Sequence, residues 1–205
     1  MERLFSSRNK TSSSEDPSKS LKKESKPSHC VVVCVDNSGW SRDEDYSPSR
    51  WKAQQNALQL LVLGEHNNNN SYTVITTAGK RPRIVQSFTE TKYEFVKSLE
   101  DVQLEEEDVE PISTIQLAQM VLRNRPNKMQ TQHILWFVAS PLDSLSQIDK
   151  NMLVALAHSL KKNNIALNIV SFGELNCEKE EILQTIVSET NKQKNSRLFT
   201  ISPGT

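Results

Sequence analysis

From residue 30 onward the chain alternates between two hydrophobic periods. Cys30 to Val35 is an unbroken apolar run of Cys and Val, the pattern of a strand buried on both faces. Ser49 then offers an N-cap, and Trp51, Leu58, Leu61 and Val62 recur at helical spacing until Gly64 can close the helix. Tyr72 to Thr77 and Arg83 to Phe88 read as strands joined by Ala78 to Pro82, a connection too short for a crossover and therefore an antiparallel hairpin. Tyr93 to Leu99 and Ile115 to Leu122 read as helices, Ile134 to Ala139 as a strand, and Leu145 to Leu160 as a long amphipathic helix. On that helix Leu145, Ile148, Met152, Leu156 and Leu160 are expected to share the buried face. Ile165 to Phe172 is a strand, Ile182 to Val187 a helix, and Leu198 to Ile201 a last strand before Pro203 and Gly204. Six strands separated mostly by helices predict an α/β, Rossmann-like, doubly wound sheet. It is mostly parallel, with Arg83 to Phe88 as an antiparallel edge and helices on both faces.

Residues 1–28 break the pattern. Met1, Leu4, Phe5 and Leu21 are their only large apolar side chains among many serines, too few to offset the entropy of ordering, so this segment is expected to be a disordered basic tail and residues 29–205 a single domain. The tail has seven Lys or Arg against four Asp or Glu, the remainder 18 against 21, and the whole chain a formal charge of +0. No global electrostatic attraction to nucleic acid or anionic lipid exists, so partners must be recognised locally. The longest apolar runs fall well short of the roughly 18 residues that a membrane helix needs, and the polar N-terminus has no signal-peptide core.

Candidate chemistry is sparse. The five glycines are too widely spaced to write a Walker loop or a dinucleotide-binding turn, and no Gly-x-Ser-x-Gly elbow supplies a hydrolase nucleophile. Cys30 and Cys34, four apart in a strand, point to one buried face and read as reduced core thiols. His29, His66, His133 and His158 are scattered, so no zinc cluster is legible. Asn67 to Asn70 is a short low-complexity linker.

In a doubly wound sheet the ligand crevice lies at the carboxyl ends of the strands, which directs attention to Asp36-Asn-Ser-Gly-Trp40. This loop resembles the start of the metal-ion-dependent adhesion site of von Willebrand A domains, which surrounds a hard cation with Asp-x-Ser-x-Ser, a Thr and a further Asp. Asp36 and Ser38 match, and Ser113 or Thr114 offers a hydroxyl. Trp40 stands where the second serine belongs, and Ser140-Pro141 follows Ala139 in place of an aspartate. A degenerate site without metal is therefore expected, with Asp36, Ser38 and Ser113 as its remnants, and no cofactor.

Longer stretches narrow the resemblance. Val35-Asp-Asn-Ser-Gly-Trp-Ser-Arg42 with Asp45-Tyr46 and Pro48-Ser-Arg50, Asn127 to Pro141, Ser159 to Glu174 and Thr200 to Gly204 together resemble the von Willebrand A domain of the ubiquitin-receptor subunits of the 26S proteasome's 19S regulatory particle. The resemblance runs from about residue 30 to the C-terminus. It implies a non-catalytic scaffold that docks on lid and base subunits in ubiquitin-dependent degradation, in cytoplasm and nucleus, with neither nucleic acid nor membrane as partner. Ubiquitin capture in that family belongs to helices that follow the domain. Met152-x-x-Ala155-x-x-x-Ser159 has their spacing, but Lys150, Lys161 and Lys162 flank it and the face is expected to cover the sheet, so no ubiquitin-interacting motif is expected in this chain. The partner-binding candidates are Asn37, Trp40, Arg42, Asp45, Tyr46 and Arg50 in the first loop. Glu105, Glu106, Glu107 and Asp108 join them from an acidic stretch that lacks any basic residue between Ser98 and Arg123. The alternative is a metal-ion-dependent ligand-binding von Willebrand A domain of another intracellular complex.

Overall fold

The computed structural model describes residues 28–64, 69–174 and 176–204. The tail expected at residues 1–28, Ser28 apart, lies outside them, as do His66 and the first half of the Asn67 to Asn70 linker.

Twelve elements follow in order: β1 (His29–Val35), a short 3-10 turn at Gly39–Arg42, α1 (Arg50–Gly64), β2 (Ser71–Thr76), β3 (Arg83–Thr89), α2 (Lys92–Glu100), α3 (Pro111–Arg123), β4 (Thr131–Val138), α4 (Gln147–Lys162), β5 (Ile165–Ser171), α5 (Cys177–Thr190) and β6 (Arg197–Thr200). The strands form one sheet ordered β3-β2-β1-β4-β5-β6. Every pairing is parallel except β2 with the edge strand β3. The predicted doubly wound sheet and its antiparallel edge are both present.

Several boundaries have a local cause. The Ser49 hydroxyl accepts from Lys52 N at 3.2 Å and starts α1, as its position predicts. Ser146 and Asp149 form a reciprocal capping box at the start of α4, and Asn176 accepts from Lys179 N to start α5. Pro111 opens α3, where its missing N–H is no loss.

The sheet divides the core in two. On one side α3, α4 and α5 pack against Cys30, Val32, Cys34, Ile134, Trp136, Leu167 and Ile169. On the other, α1 and α2 pack through Leu58, Val62, Phe95 and Leu99 onto Val33, Val35, Val74 and Phe137. Cys30 and Cys34 are buried on one face as expected, and burial pushes both thiols up from their ordinary pKa.

The expected stripe on α4 is displaced. Leu153, Ala157 and Leu160 are the buried residues, with Leu145 and Leu156 at the margin, whereas Ile148 is 71% and Met152 43% exposed. The helix carries apolar residues at 152 through 157 without a break, so two neighbouring stripes satisfy the same spacing. Packing on α3 and α5 selects the one through Leu153. The Met152 to Ser159 line therefore does not cover the sheet, and Met152 and Ala155 face solvent. Its lysine flanks set it apart from a ubiquitin-binding helix, and Ser159 at its end accepts from Gln119 Nε2 of α3 at 2.8 Å.

Candidate functional site

The strand order reverses between β1 and β4, each of which has its next strand in sequence on the opposite side, and the crevice at their carboxyl ends is where such sheets bind ligands. β1 delivers Asp36 into it and β4 delivers Ala139 and Ser140. All three are buried, Asp36 completely. Its Oδ1 accepts from Ser38 N at 3.1 Å and Ser38 Oγ at 2.6 Å, with Ser41 Oγ at 3.4 Å. Its Oδ2 accepts from Ala139 N at 2.8 Å, Ser140 N at 2.9 Å and Ser140 Oγ at 2.9 Å. The backbone of Asp36 is clasped too, its N–H donating to Gln54 Oε1 at 2.9 Å and its carbonyl accepting from Gln54 Nε2 at 3.0 Å and Ser41 Oγ at 2.6 Å.

This donor set does not fit a hard cation. A metal needs lone pairs directed at it, whereas three backbone N–H groups and the Ser38 and Ser140 hydroxyls already converge on the Asp36 carboxylate. Ser140, where the resemblance puts an acidic ligand, instead donates through Oγ to Asp36 Oδ2. Trp40 brings no oxygen, and its side chain is 38% exposed. Ser113 is half-buried on the first turn of α3, and the buried hydroxyl of Thr114 has no hydrogen-bond partner. Among the described residues no group of three or more His, Cys, Asp or Glu converges in a way that could hold a metal ion.

A positive charge does approach Asp36. Lys179, on the first turn of α5, is 1% exposed and donates through Nζ to Val138 O at 3.1 Å and Phe172 O at 3.0 Å. Burial lowers its pKa from the ordinary 10.5 to about 8, and the nearby Asp36 charge opposes part of that fall. Lys179 thus bridges the ends of β4 and β5 with an internal cation. Sequence reasoning missed it. The signal lay in its register with the buried α5 residues Ile182, Leu183, Ile186 and Thr190, at intervals of three and four, which places a lysine on the inward face.

Two candidates of the first loop prove to be internal clasps. Asn37 is fully buried. Its Oδ1 accepts from Thr77 N at 3.1 Å and Ala78 N at 2.9 Å, while Nδ2 donates to Gln103 O at 3.0 Å, locking the ends of β1 and β2 to the loop before α3. Arg50, 3% exposed, makes a bidentate pair with Asp45, both contacts 2.7 Å, and reaches Asp43 at 3.2 Å and Glu174 at 3.1 Å. Desolvation works against the guanidinium charge, and the bonds to Asp45 and Glu174 overcome it, raising its pKa. Hydrogen bonding to Arg50 in turn holds Asp45 below the usual carboxylate range. Gly173 permits this arrangement: its φ is +75°, and a Cβ there would lie 2.4 Å from Ala139 O and 2.9 Å from Arg50 Cζ. Tyr46 also packs inward, edge-on to Phe172 with ring centroids 5.6 Å apart, its hydroxyl donating to Ile201 O at 2.5 Å.

The remaining candidates form one surface. Arg42 meets Glu106 at 2.9 Å and donates to Leu104 O at 3.3 Å, and Glu105 N donates to Asn37 O at 2.8 Å, so the Trp40 loop and the acidic stretch lie side by side. The acids are not an isolated negative field. Glu105 pairs with Arg83, and Lys80 and Arg81 line a shallow hollow with Glu105 and Glu107. Glu106, Glu107 and Asp108 are exposed.

A Rossmann-like sheet with an Asp-x-Ser loop at its switch point defines the von Willebrand A class, and the family model described as von Willebrand factor type A domain matches residues 31–141. A 26S proteasome non-ATPase regulatory subunit 4 homolog of Oryza sativa subsp. japonica is 36% identical over 85% of this chain, which spans 42% of that protein. The 26S proteasome regulatory subunit rpn10 of Schizosaccharomyces pombe is 30% identical over 84% of this chain and 69% of its own length. The crystal structure of the SpRpn10 VWA domain superposes with a TM-score of 0.75 at 29% identity, covering 86% of this chain and 89% of that one. The chain belongs to the von Willebrand factor type A family and, within it, to the line of Rpn10-type regulatory subunits of the 26S proteasome. It spans less than two thirds of the rice relative's length.

Proposed function

We propose that this chain is the docking domain of a 26S proteasome regulatory-particle subunit, a non-catalytic scaffold that stabilises the association of lid and base in the cytoplasm and nucleus. The observation that carries this reading is the likeness, along 84–85% of the chain, to proteins named as regulatory subunits of that particle. The crevice supports it: where relatives of the wider fold hold ligands, the hydroxyls of Ser38 and Ser140 and the backbone amides around them already occupy the Asp36 carboxylate, leaving no open position on it. The docking surface is the rim built by Trp40, Arg42, Glu106, Glu107 and Asp108. An exposed aromatic beside a mixed-charge border is the composition of an interface anchor with a polar margin. Asn37, Asp45, Tyr46 and Arg50 hold that rim in place from beneath.

Affinity purification of the tagged chain from its own cells, with identification of the co-eluting proteins, tests the reading. Recovery of lid and base subunits in comparable amounts is expected, and their absence under gentle, ATP-containing conditions would overturn it.

A further inference from the structure

The amino end of the sheet carries one sign of charge. From Pro111 to Leu142 and from Lys150 to Gly173 the sequence has no Asp or Glu, and these stretches build α3, β4, β5 and all but the first turn of α4. Where the last turns of α3 and α4 meet the starts of β4 and β5 lies a hollow of about 440 Å³. Met120, Arg123, Arg125, Lys128, Gln132 and Asn163 line it, and no acid is among its described lining residues. Lys161 and Lys162 stand in the last turn of α4, just before Asn163. Arg123, Lys128, Lys161 and Lys162 are exposed, and none of these five cations has a carboxylate partner among the described residues.

Arg125 is braced rather than free to turn outward. It donates to Leu122 O at 3.1 Å, Gln132 Oε1 at 2.9 Å and Lys128 O at 2.8 Å, and its buried Nε has no hydrogen-bond partner among the described residues. Cations gathered without a counter-charge repel one another, and an anion placed among them relieves that cost.

The chain itself enters at this end. Ser28 O accepts from Thr131 N at 3.1 Å, and the next residue, Gln132, lines the hollow, so residues 1–27 are tethered beside it. Residues 1–28 have seven basic and four acidic residues, and in that state the basic end repels them. The sign changes locally at Thr11-Ser-Ser-Ser-Glu-Asp16, where three serines run directly into two carboxylates. Phosphate adds about −1.5 to −2 per serine, which takes this hexapeptide from −2 to about −7. Asp16 and Ser28 are 12 positions apart, a reach of up to about 40 Å at roughly 3.3 Å each, and a short tether sets an effective concentration on the order of millimolar.

We propose that Ser12, Ser13 and Ser14 are phosphorylation sites and that the phosphorylated segment docks in cis on the hollow of Arg123, Arg125 and Lys128, covering Met120, itself 53% exposed. A protein kinase moves the γ-phosphoryl group of ATP to a serine Oγ: the Oγ–P bond forms as the bond to ADP breaks, and the hydroxyl proton leaves to solvent. The arginine and lysine side chains then donate charge-assisted hydrogen bonds to the phosphate oxygens. The hollow shares no residue with the Trp40 to Asp108 rim, so this docking and the assembly reading can fail separately.

The test begins with mass spectrometry of the chain purified from its own cells under phosphatase inhibition. Phosphate on Ser12 to Ser14 is expected, and its absence would overturn the proposal. The full chain carrying phosphoserine at all three positions is then compared with the unmodified chain by amide and methyl NMR. Shifts at Met120, Arg123, Lys128, Gln132 and Asn163, independent of protein concentration, are expected. A phosphopeptide of residues 8–20 added to the unmodified chain should bind at least about tenfold more tightly than the same peptide without phosphate, and less tightly as salt is raised. Arg123→Glu with Lys128→Glu should remove that difference while leaving the melting temperature within a few degrees. Lys161→Glu with Lys162→Glu, outside the turn, should reduce it several-fold and keeps the test valid if the first pair disturbs the fold. Shifts centred on Arg42 or Arg197, equal binding of the unphosphorylated peptide, the same response to inorganic phosphate at equal concentration, or shifts that grow with protein concentration would each overturn the proposal.

Discussion

Replacing Asp36 by asparagine changes one atom and almost no volume, yet it places a donor where five donors already converge. With Nδ2 turned toward β4 it would face the N–H groups of Ala139 and Ser140, now 2.8 and 2.9 Å from Oδ2. With Nδ2 turned the other way only Ser38 N, 3.1 Å from Oδ1, is opposed, since the Ser38 hydroxyl can rotate to accept. The milder orientation leaves one buried backbone donor unpaired, a loss of about 1–3 kcal/mol, and removes charge assistance worth about 1 kcal/mol from each bond that remains. A total of about 4–6 kcal/mol is expected, a large share of the roughly 5–15 kcal/mol that stabilises a domain. That corresponds to a fall in Tm on the order of 10 °C at this size. Urea unfolding followed by tryptophan fluorescence, with an unchanged slope, measures it. Wild type should melt at the same temperature with or without magnesium, because a cation at a hundredfold excess over its Kd would raise stability by about 2.7 kcal/mol. An Asp36→Asn variant within about 1 kcal/mol of wild type would refute the latch, as would magnesium-dependent stabilisation of the wild type lost in that variant.

Other consequences follow from particular residues. Lys179 has a folded pKa near 8, below its unfolded 10.5, so the folded state releases this proton first and stability from this group rises as pH climbs from about 8 toward 10.5. Relative to Lys179→Met, wild type should gain about 2 kcal/mol between pH 7.5 and 9.5, and a gap independent of pH would contradict the lowered pKa. Leu153→Asp should unfold the domain, as Leu153 is 0% exposed, whereas Met152→Asp at a 43% exposed position should melt within a few degrees of wild type. Circular dichroism melts of the pair check the displaced stripe. Trp40→Ala combined with Glu107→Lys and Asp108→Lys should weaken co-purification with regulatory-particle subunits while leaving Tm nearly unchanged, and undiminished recovery would remove the rim as the docking surface.

Much of this molecule is legible without its shape, and what is not has physical reasons. The Cys30 to Val35 run, short and mostly β-branched, reads as a buried strand, and the five-residue link before Arg83 is too short for a crossover; both are strong local constraints. The stripe on α4 is misread because a continuous apolar segment supports two stripes, and neighbouring helices choose between them. At the crevice the sequence exposes what a metal site would lack. It does not expose what replaces it, because Ser140, Gln54 and Lys179 lie 104, 18 and 143 positions from Asp36 and meet it only through strand order. Asn37 and Arg50 look like interface residues for the same reason. Polar side chains in a strand-end loop have identical signatures whether they face a partner or clasp a neighbouring loop, and only their burial separates the two.

The most direct measurement of the account is sedimentation of a gentle, ATP-containing lysate through a glycerol gradient, with the chain followed by immunoblot and the proteasome by its peptidase activity. The chain is predicted to migrate with the large peptidase peak and to remain there after purification of that peak. Recovery only near the top of the gradient, at the position of a free polypeptide of 23.3 kDa, would contradict it.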